Sequence, residues 1–459
     1  TQPLMYQKIK EHKTTLKIYE EKLRTENILT DSEVKKEEEE YKKILDDEFA
    51  LSISYKSNKA DWLEGSWKGL STASFDARRG QTSVSIEDIN TIAQEIHRIP
   101  EEFNVHKRIK KIYEDRLNSV ANNTGIDWAT AESLAFATLL NEGFGVRLSG
   151  QDSGRGTFSQ RHAVLYDQVN EKRFVPLRHF REKQGFFEVI DSFLSEYGVL
   201  GFEYGYSQVD PRTLVLWEGQ FGDFANNAQT IIDQFITTGE RKWLRMSGLT
   251  LLLPHGHEGQ GSEHSSARLE RFLQMCAKYN MQIVNCTTPA NFFHLLRRQL
   301  KRKYRKPLVV FTPKSLLRHP SCISDINDLS SGSFQSIIDD IVSPDLIEKL
   351  VLCSGKIFYD LLARREKEPL KNVALVRVEQ LFPLHKHAIE SVIKKYDAKQ
   401  IIWVQEEPEN MGAWTYILSE LRNFRIEIIS RPPSAATANG SSKKSFSQQH
   451  EIIEKVFKK

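Results

Sequence analysis

A chain of 459 residues, 39% hydrophobic and 27% charged with a net charge of +3, has enough apolar material for two or three domains. That composition excludes a disordered or membrane-embedded class, and so small a charge gives no footing for nucleic-acid binding. No apolar run reaches the roughly 18 residues of a transmembrane helix. Four cysteines (Cys276, Cys286, Cys322, Cys353) lie far apart with no Cys-x-x-Cys. This fits a reducing compartment and argues against a disulfide frame or a cysteine zinc site. The sequence opens on Thr1 and runs directly into helix-like residues, with no signal or transit segment, as expected of a fragment or processed piece.

Residues 1–125 read as helical and strongly charged. Thr30-Asp31-Ser32 can cap a helix over 33–49, and the run Glu37 to Glu40 between lysines reads as a solvated helix face. Trp62-Leu63-Glu64-Gly65-Ser66-Trp67 reads as an aromatic packing turn. A helix is predicted over 100–117, its basic face (Lys107, Arg108, Lys110, Lys111) exposed. At Ile126 the pattern changes. Residues 129–140 are apolar at helical spacing with Asp127 as a cap. Strands are predicted at 145–150, 187–190, 213–217, 249–253, 281–284 and 308–311, with helices over 195–206, 226–237 and 265–278. Strands alternating with helices mean a mostly parallel α/β domain, about 126–320. Residues 324–347 read as a linker. A second α/β unit follows, with strands at 349–354, 373–378 and 400–404 and helices over 357–366, 386–396 and 450–457.

The loop Leu253-Pro254-His255-Gly256-His257-Glu258-Gly259-Gln260-Gly261-Ser262-Glu263-His264 concentrates groups that can move protons or hold a metal. It follows a strand, where α/β folds bind ligands, and a helix start after it would offer free N–H groups. Three readings stand. The histidines serve an organic ligand as proton donors or anion partners, they bind backbone, or they hold a metal. The spacing is not His-Glu-x-x-His, and a glycine-rich turn is a loose metal cage. Glu196 opens an otherwise small and apolar helix, either as a dipole partner or as a carboxylate facing a ligand. Trp217-Glu218-Gly219-Gln220-Phe221-Gly222-Asp223-Phe224 places aromatics after a strand, for the core or for stacking on a flat heterocycle. The loop Gln151-Asp152-Ser153-Gly154-Arg155-Gly156-Thr157 can approach a ligand closely and is no Walker loop, since no Gly-Lys-Ser/Thr follows. Arg297-Arg298, Lys301-Arg302-Lys303 and Arg305-Lys306 read as a solvated helix end, with phosphate or an acidic partner as the alternative.

With these residues in view, the chain resembles the C-terminal half of the thiamine-diphosphate-dependent, decarboxylating components of 2-oxoglutarate dehydrogenase complexes. The likeness is densest in 147–162 (RLSGQDSGRGTFSQRH), 201–206 (GFEYGY), 217–224 (WEGQFGDF) and 253–264 (LPHGHEGQGSEH), and extends through 311–319 (FTPKSLLRH), 405–408 (QEEP) and 412–414 (GAW). It implies an α/β fold with three parts: a helical connecting region over 1–125, a transketolase-like pyrimidine-binding domain over 126–320 and a transketolase-like C-terminal domain over 321–459. It also implies a role for single residues. Glu196 matches the glutamate that hydrogen-bonds the cofactor's aminopyrimidine and promotes removal of the thiazolium proton. Phe221 matches an aromatic against the pyrimidine face, and His264 a histidine near the substrate. His255 is a second catalytic candidate, and His257 is incidental.

The implied activity is oxidative decarboxylation of 2-oxoglutarate in the tricarboxylic acid cycle, with succinyl transfer to the lipoyl group of a dihydrolipoyl succinyltransferase. The alternatives are another thiamine-dependent 2-oxo acid decarboxylase or a non-catalytic scaffold. The chain contains no Gly-Asp-Gly. On the resemblance, magnesium and the diphosphate therefore belong to an upstream domain, and the active site is completed in a homodimer. No metal ligands, nucleic acid or membrane are expected. The implied location is a bacterial cytoplasm, or the mitochondrial matrix if the source is eukaryotic.

Overall fold

The computed structural model describes residues 2–56, 63–73, 80–368 and 372–458. It divides into two compact units, Thr1–Asp61 and Trp62–Lys459. The first contains the helices Pro3–Glu11, Thr15–Thr25 and Asp31–Ser54. Thr30 caps the third through a reciprocal pair with Glu33, the arrangement that satisfies two otherwise orphaned N–H donors. The acidic run is exposed, with Lys36 and Glu40 3.8 Å apart.

The second unit is built on two sheets. In the larger, the strands lie in the order Gln380–Phe382, Gln282–Val284, Leu308–Thr312, Thr250–Pro254, Thr213–Glu218, Gly145–Gly150, Phe187–Asp191. All neighbours are parallel except the first pair, which is antiparallel. The four consecutive strands from Leu308–Thr312 to Gly145–Gly150 are buried along their whole length. Both faces of a parallel sheet are covered, which is why these strands read as continuous apolar runs. Successive residues feed opposite cores. Leu214, Leu216, Leu252 and Val310 pack on one side with the helices Trp128–Asn141 and Pro289–Lys301, whose Trp128 and Phe292 rings stack at 4.6 Å. Val215, Trp217, Leu251, Leu253 and Phe311 pack on the other with Leu200 and Tyr204.

The smaller sheet runs Ile426–Arg431, Gln400–Pro408, Lys349–Cys353, Val373–Val378, Ile337–Ile338, parallel except for the last pair. Its strand Lys349–Cys353 divides between the same two cores, Val351 joining one and Leu352 the other. The strand Gln380–Phe382, following directly on Val373–Val378, crosses over to extend the larger sheet. No helix among the described residues is long and apolar enough to cross a membrane.

Several local expectations change. The helix expected over 100–117 is Lys107–Ala121, capped by His106, and its four basic residues are exposed as read. The stretch expected as a helix over 226–237 begins at Gly222 as a 3-10 helix and tightens and loosens along its length, reaching a π turn at Ile232–Ile236. The helix expected over 265–278 shrinks to Leu269–Gln274. Residues 265–268 instead follow an irregular path that ends with Arg268 at φ +54°. The backbone there is used elsewhere: the Ser265 carbonyl accepts from Gly256 N–H at 2.8 Å, and Ala267 N–H donates to His255. The helix start once expected beside the histidines is therefore displaced from them.

The basic clusters are a solvated helix end only at Lys301 and Lys303, which are exposed. Arg297, Arg298, Arg302, Arg305 and Lys306 are buried. Arg297 donates to Glu142 and Thr138, Arg298 lies over the Phe334 ring and reaches Gln380, and Arg305 donates to the Pro211 and Arg302 carbonyls. A charge run looks the same in sequence whether its partners are water or distant buried oxygens. Trp67 is a packing plug as read, its indole N–H donating to the Gln208 carbonyl at 2.7 Å. Trp62 lies outside the described residues.

Candidate functional site

The site forms where several strands of the larger sheet end. Ser195 caps the helix Glu196–Val209, so Glu196 occupies its first turn, half-buried. Its carboxylate accepts one amide on each oxygen, from Gln151 Nε2 at 3.0 Å and from Asn227 Nδ2 at 3.3 Å. Gln151 opens the glycine-rich loop after the strand Gly145–Gly150, and Asn227 belongs to the turn after Phe221. Two lone pairs of the carboxylate stay available to a further donor.

Phe221 is half-buried at the end of the strand Thr213–Glu218. Its ring meets His264 edge-on at 4.2 Å, and Phe158 and Phe224 each at 5.7 Å. Trp217, four residues earlier, is core. Gly222 is required by packing: a Cβ there would lie 2.4 Å from the Ala267 methyl and 2.5 Å from the Pro254 carbonyl oxygen. This contact presses the segment carrying Phe221 against the one carrying His264.

The three loop histidines separate by environment. The His264 ring is half-buried, and no hydrogen bond to it exists among the described residues. Its backbone carbonyl accepts from the buried Lys314 ammonium at 2.5 Å, which also holds Gln260 Oε1 at 2.9 Å. Burial lowers the Lys314 pKa, with Glu258 opposing. His255 is buried with both nitrogens engaged. Nδ1 accepts from Ala267 N–H at 3.0 Å, so Nε2 carries the proton and donates to Glu407 Oε1 at 2.7 Å. Burial alone would raise the Glu407 pKa, but the hydrogen bond from His255 opposes it and the net shift is downward. His257 is buried, donates to the Thr437 carbonyl and leaves Nδ1 without a partner. Burial depresses it to about 3. Glu258 accepts from the Ser315 hydroxyl and backbone N–H, and Glu263 is exposed. No group of three or more His, Cys, Asp or Glu among the described residues is arranged to hold a metal.

Beneath the site, Arg161 is buried between two carboxylates. It makes paired bonds to Glu132 at 2.6 and 3.0 Å and to Glu218 at 2.6 and 2.7 Å, and reaches the Ser153 carbonyl at 3.0 Å. It thus joins the helix Trp128–Asn141, the strand end before Phe221 and the glycine-rich loop.

Sequence reasoning singled out Glu196, Phe221, His255 and His264, and all four lie along one rim. Gln151 stood in a loop already marked for close approach, yet nothing in its spacing pointed to Glu196. Lys314 and Glu407 stand in stretches that carry the resemblance, but like Asn227 they were not marked as site residues, because their partners lie 50, 152 and 31 positions away.

Residues 124–320 match the family described as "Transketolase, pyrimidine binding domain", and residues 323–457 match "2-oxoglutarate dehydrogenase C-terminal". Proteins named 2-oxoglutarate dehydrogenase E1 component from Brucella anthropi, Brucella canis and Brucella melitensis are each 49% identical to the chain over 477 aligned positions, covering 99% of it. The chain spans about half the length of these relatives, 48%. With its rim of strand-end residues, its two matched segments and this identity along nearly every residue, the chain belongs to the family of 2-oxoglutarate dehydrogenase E1 components.

Proposed function

We propose that these residues form the pyrimidine half of a thiamine diphosphate site in a subunit that oxidatively decarboxylates 2-oxoglutarate. The succinyl unit then passes to the lipoyl group of a succinyltransferase partner. The observation that carries the reading is the convergence of a half-buried carboxylate, Glu196, and a half-buried aromatic, Phe221, with the unengaged imidazole of His264 against the aromatic.

The donor set fits an aminopyrimidine. Phe221, flanked by Phe158 and Phe224, offers a flat apolar contact, and Glu196 keeps lone pairs for a ring nitrogen. The residues do not fit the diphosphate and magnesium in the same way. The sequence has no Gly-Asp-Gly, and the described residues hold no metal-ligand cluster. The reading therefore assigns that half to residues outside this sequence, in an assembled homodimer. Bacterial relatives favour a cytoplasmic location.

When bound, thiamine diphosphate supplies the carbanion and the electron sink that decarboxylation of a 2-oxo acid needs. The chain's own residues do the rest. Glu196 exchanges a proton with the pyrimidine nitrogen, its orientation held by Gln151 and Asn227. The three phenylalanines exclude water from that exchange. His264, with neither ring nitrogen hydrogen-bonded among the described residues, can donate to the substrate's oxygen or carboxylate. His255 has no nitrogen left for substrate and acts by shaping the loop.

Glu196→Gln in the complete subunit tests the reading. Decarboxylation of 2-oxoglutarate should nearly vanish while the fold persists, and activity near wild type would refute the role of Glu196. Calorimetry on the chain alone tests the half-site. Weak thiamine diphosphate binding is expected, and tight binding would show that the site is complete within these residues.

A further inference from the structure

We propose that Glu407 is a positioning residue for His264, acting through His255. The inference rests on the reading of His264 as the substrate-facing imidazole, and it gives the second α/β unit a part in the site.

Glu407 lies in the strand Gln400–Pro408 of the smaller sheet, and its partner His255 lies at the end of a strand of the larger. Their side chains are 10% and 5% exposed, so the bond between them is shielded from solvent. The coupling runs through four contacts. Glu407 accepts from Nε2 and so fixes the tautomer in which Nδ1 is bare. Bare Nδ1 accepts the Ala267 N–H. Ala267 abuts Gly222, with no room for even one added methyl. Gly222 follows Phe221, whose ring meets His264 at 4.2 Å. His264 itself is three residues before Ala267, so the same bond sets its loop from the other end.

Loss of the carboxylate leaves the Nε2 proton without its acceptor, so that the Ala267 N–H alone opposes a proton on Nδ1. If Nδ1 took the proton, it would face the Ala267 N–H donor to donor. Ala267 would then leave Gly222, and the His264 ring would lose its place against Phe221. Other bonds tie the loop to the same neighbour: the Ser262 hydroxyl donates to the Ala438 carbonyl, the Thr437 hydroxyl to the Ser262 carbonyl and His257 to the Thr437 carbonyl. These hold the loop from His257 to Ser262, up to two residues before His264. Lys314 holds the His264 carbonyl and Gly256 the Ser265 carbonyl, and among the described bonds from the smaller sheet's unit the Glu407–His255 pair is the one that reaches Ala267.

The test compares Glu407→Leu, Glu407→Gln and His264→Ala in the complete subunit. Glu407→Leu should lower kcat/KM for 2-oxoglutarate by about tenfold or more. It should also speed hydrogen exchange of the amides over 256–267. Glu407→Gln, which keeps an acceptor oxygen, should recover most of both. If Glu407→Leu leaves activity and exchange unchanged while His264→Ala is impaired, the positioning role is overturned. If His264→Ala is itself unimpaired, the reading of the site falls instead. Should Glu407→Leu not fold, the ring-nitrogen resonances of His255 in the wild type decide. A bare Nδ1 at neutral pH is expected, and a protonated one overturns the proposal.

Discussion

Replacing Arg161 with Met removes one guanidinium and strands two carboxylates. Arg161, Glu132 and Glu218 are each at least nine-tenths buried, and four charge-assisted bonds join them. Burial opposes the charge, but the two carboxylates outweigh it and raise the Arg161 pKa above its ordinary value, so the site holds the cation. Breaking a buried pair by deleting one partner costs about 3–5 kcal/mol, chiefly because the remaining charge has no water. Here two charges remain, so Arg161→Met should destabilise by about 4 kcal/mol or more, a large share of a typical stability of roughly 5–15 kcal/mol. Arg161→Lys keeps the charge but offers one ammonium to two carboxylates and a carbonyl, and should fall between. The assay is the urea midpoint of each variant at neutral pH. A loss below about 1 kcal/mol for Arg161→Met would refute the argument, since it would mean that the carboxylates reach solvent or another cation.

Gly222→Ala should cost about 1–3 kcal/mol through overpacking against Ala267 and Pro254, and should alter the His264 ring environment by NMR. Unperturbed His264 resonances would exclude the proposed packing. Lys314→Met removes the buried donor to the His264 carbonyl and to Gln260, so exchange of the 260–264 amides should quicken while the sheets stay protected. Acid should destabilise the fold through His257 and through His97, which is buried directly after the helix Ile86–Ile96, both held at about 3 chiefly by burial. They stay neutral in the fold but charge in the unfolded chain at about 6.5, so their contribution is intact above that pH and is lost as pH falls towards about 3. Each accounts for on the order of 5 kcal/mol at the acid end. Urea midpoints measured across this window should fall less steeply in His97→Asn; an unchanged slope would refute the assignment for His97.

Residue pattern alone carried the parallel sheet, because a strand covered on both faces must be apolar throughout. The runs at 213–217, 249–253 and 308–311 could be read directly. Helix starts were legible where a cap lies next to what it caps, as at Thr30 and Asp127. The richest loop and the acidic helix start were visible too, and the resemblance ranked their residues. What pattern could not supply was partnership at long range. Nothing local distinguishes His255, locked between Glu407 and Ala267, from His264, nine positions on and unengaged. Nor does a basic run reveal that Arg297 and Arg305 are buried on oxygens from elsewhere in the chain. The helix expected over 265–278 failed for the same reason, since tertiary hydrogen bonds to His255 and Gly256 outbid local propensity at 265–267. Local sequence sets propensity and burial, which depend on neighbours in the chain. Which donor meets which acceptor is decided only when distant strands of two sheets close on each other, and it is there that one histidine is left free to act.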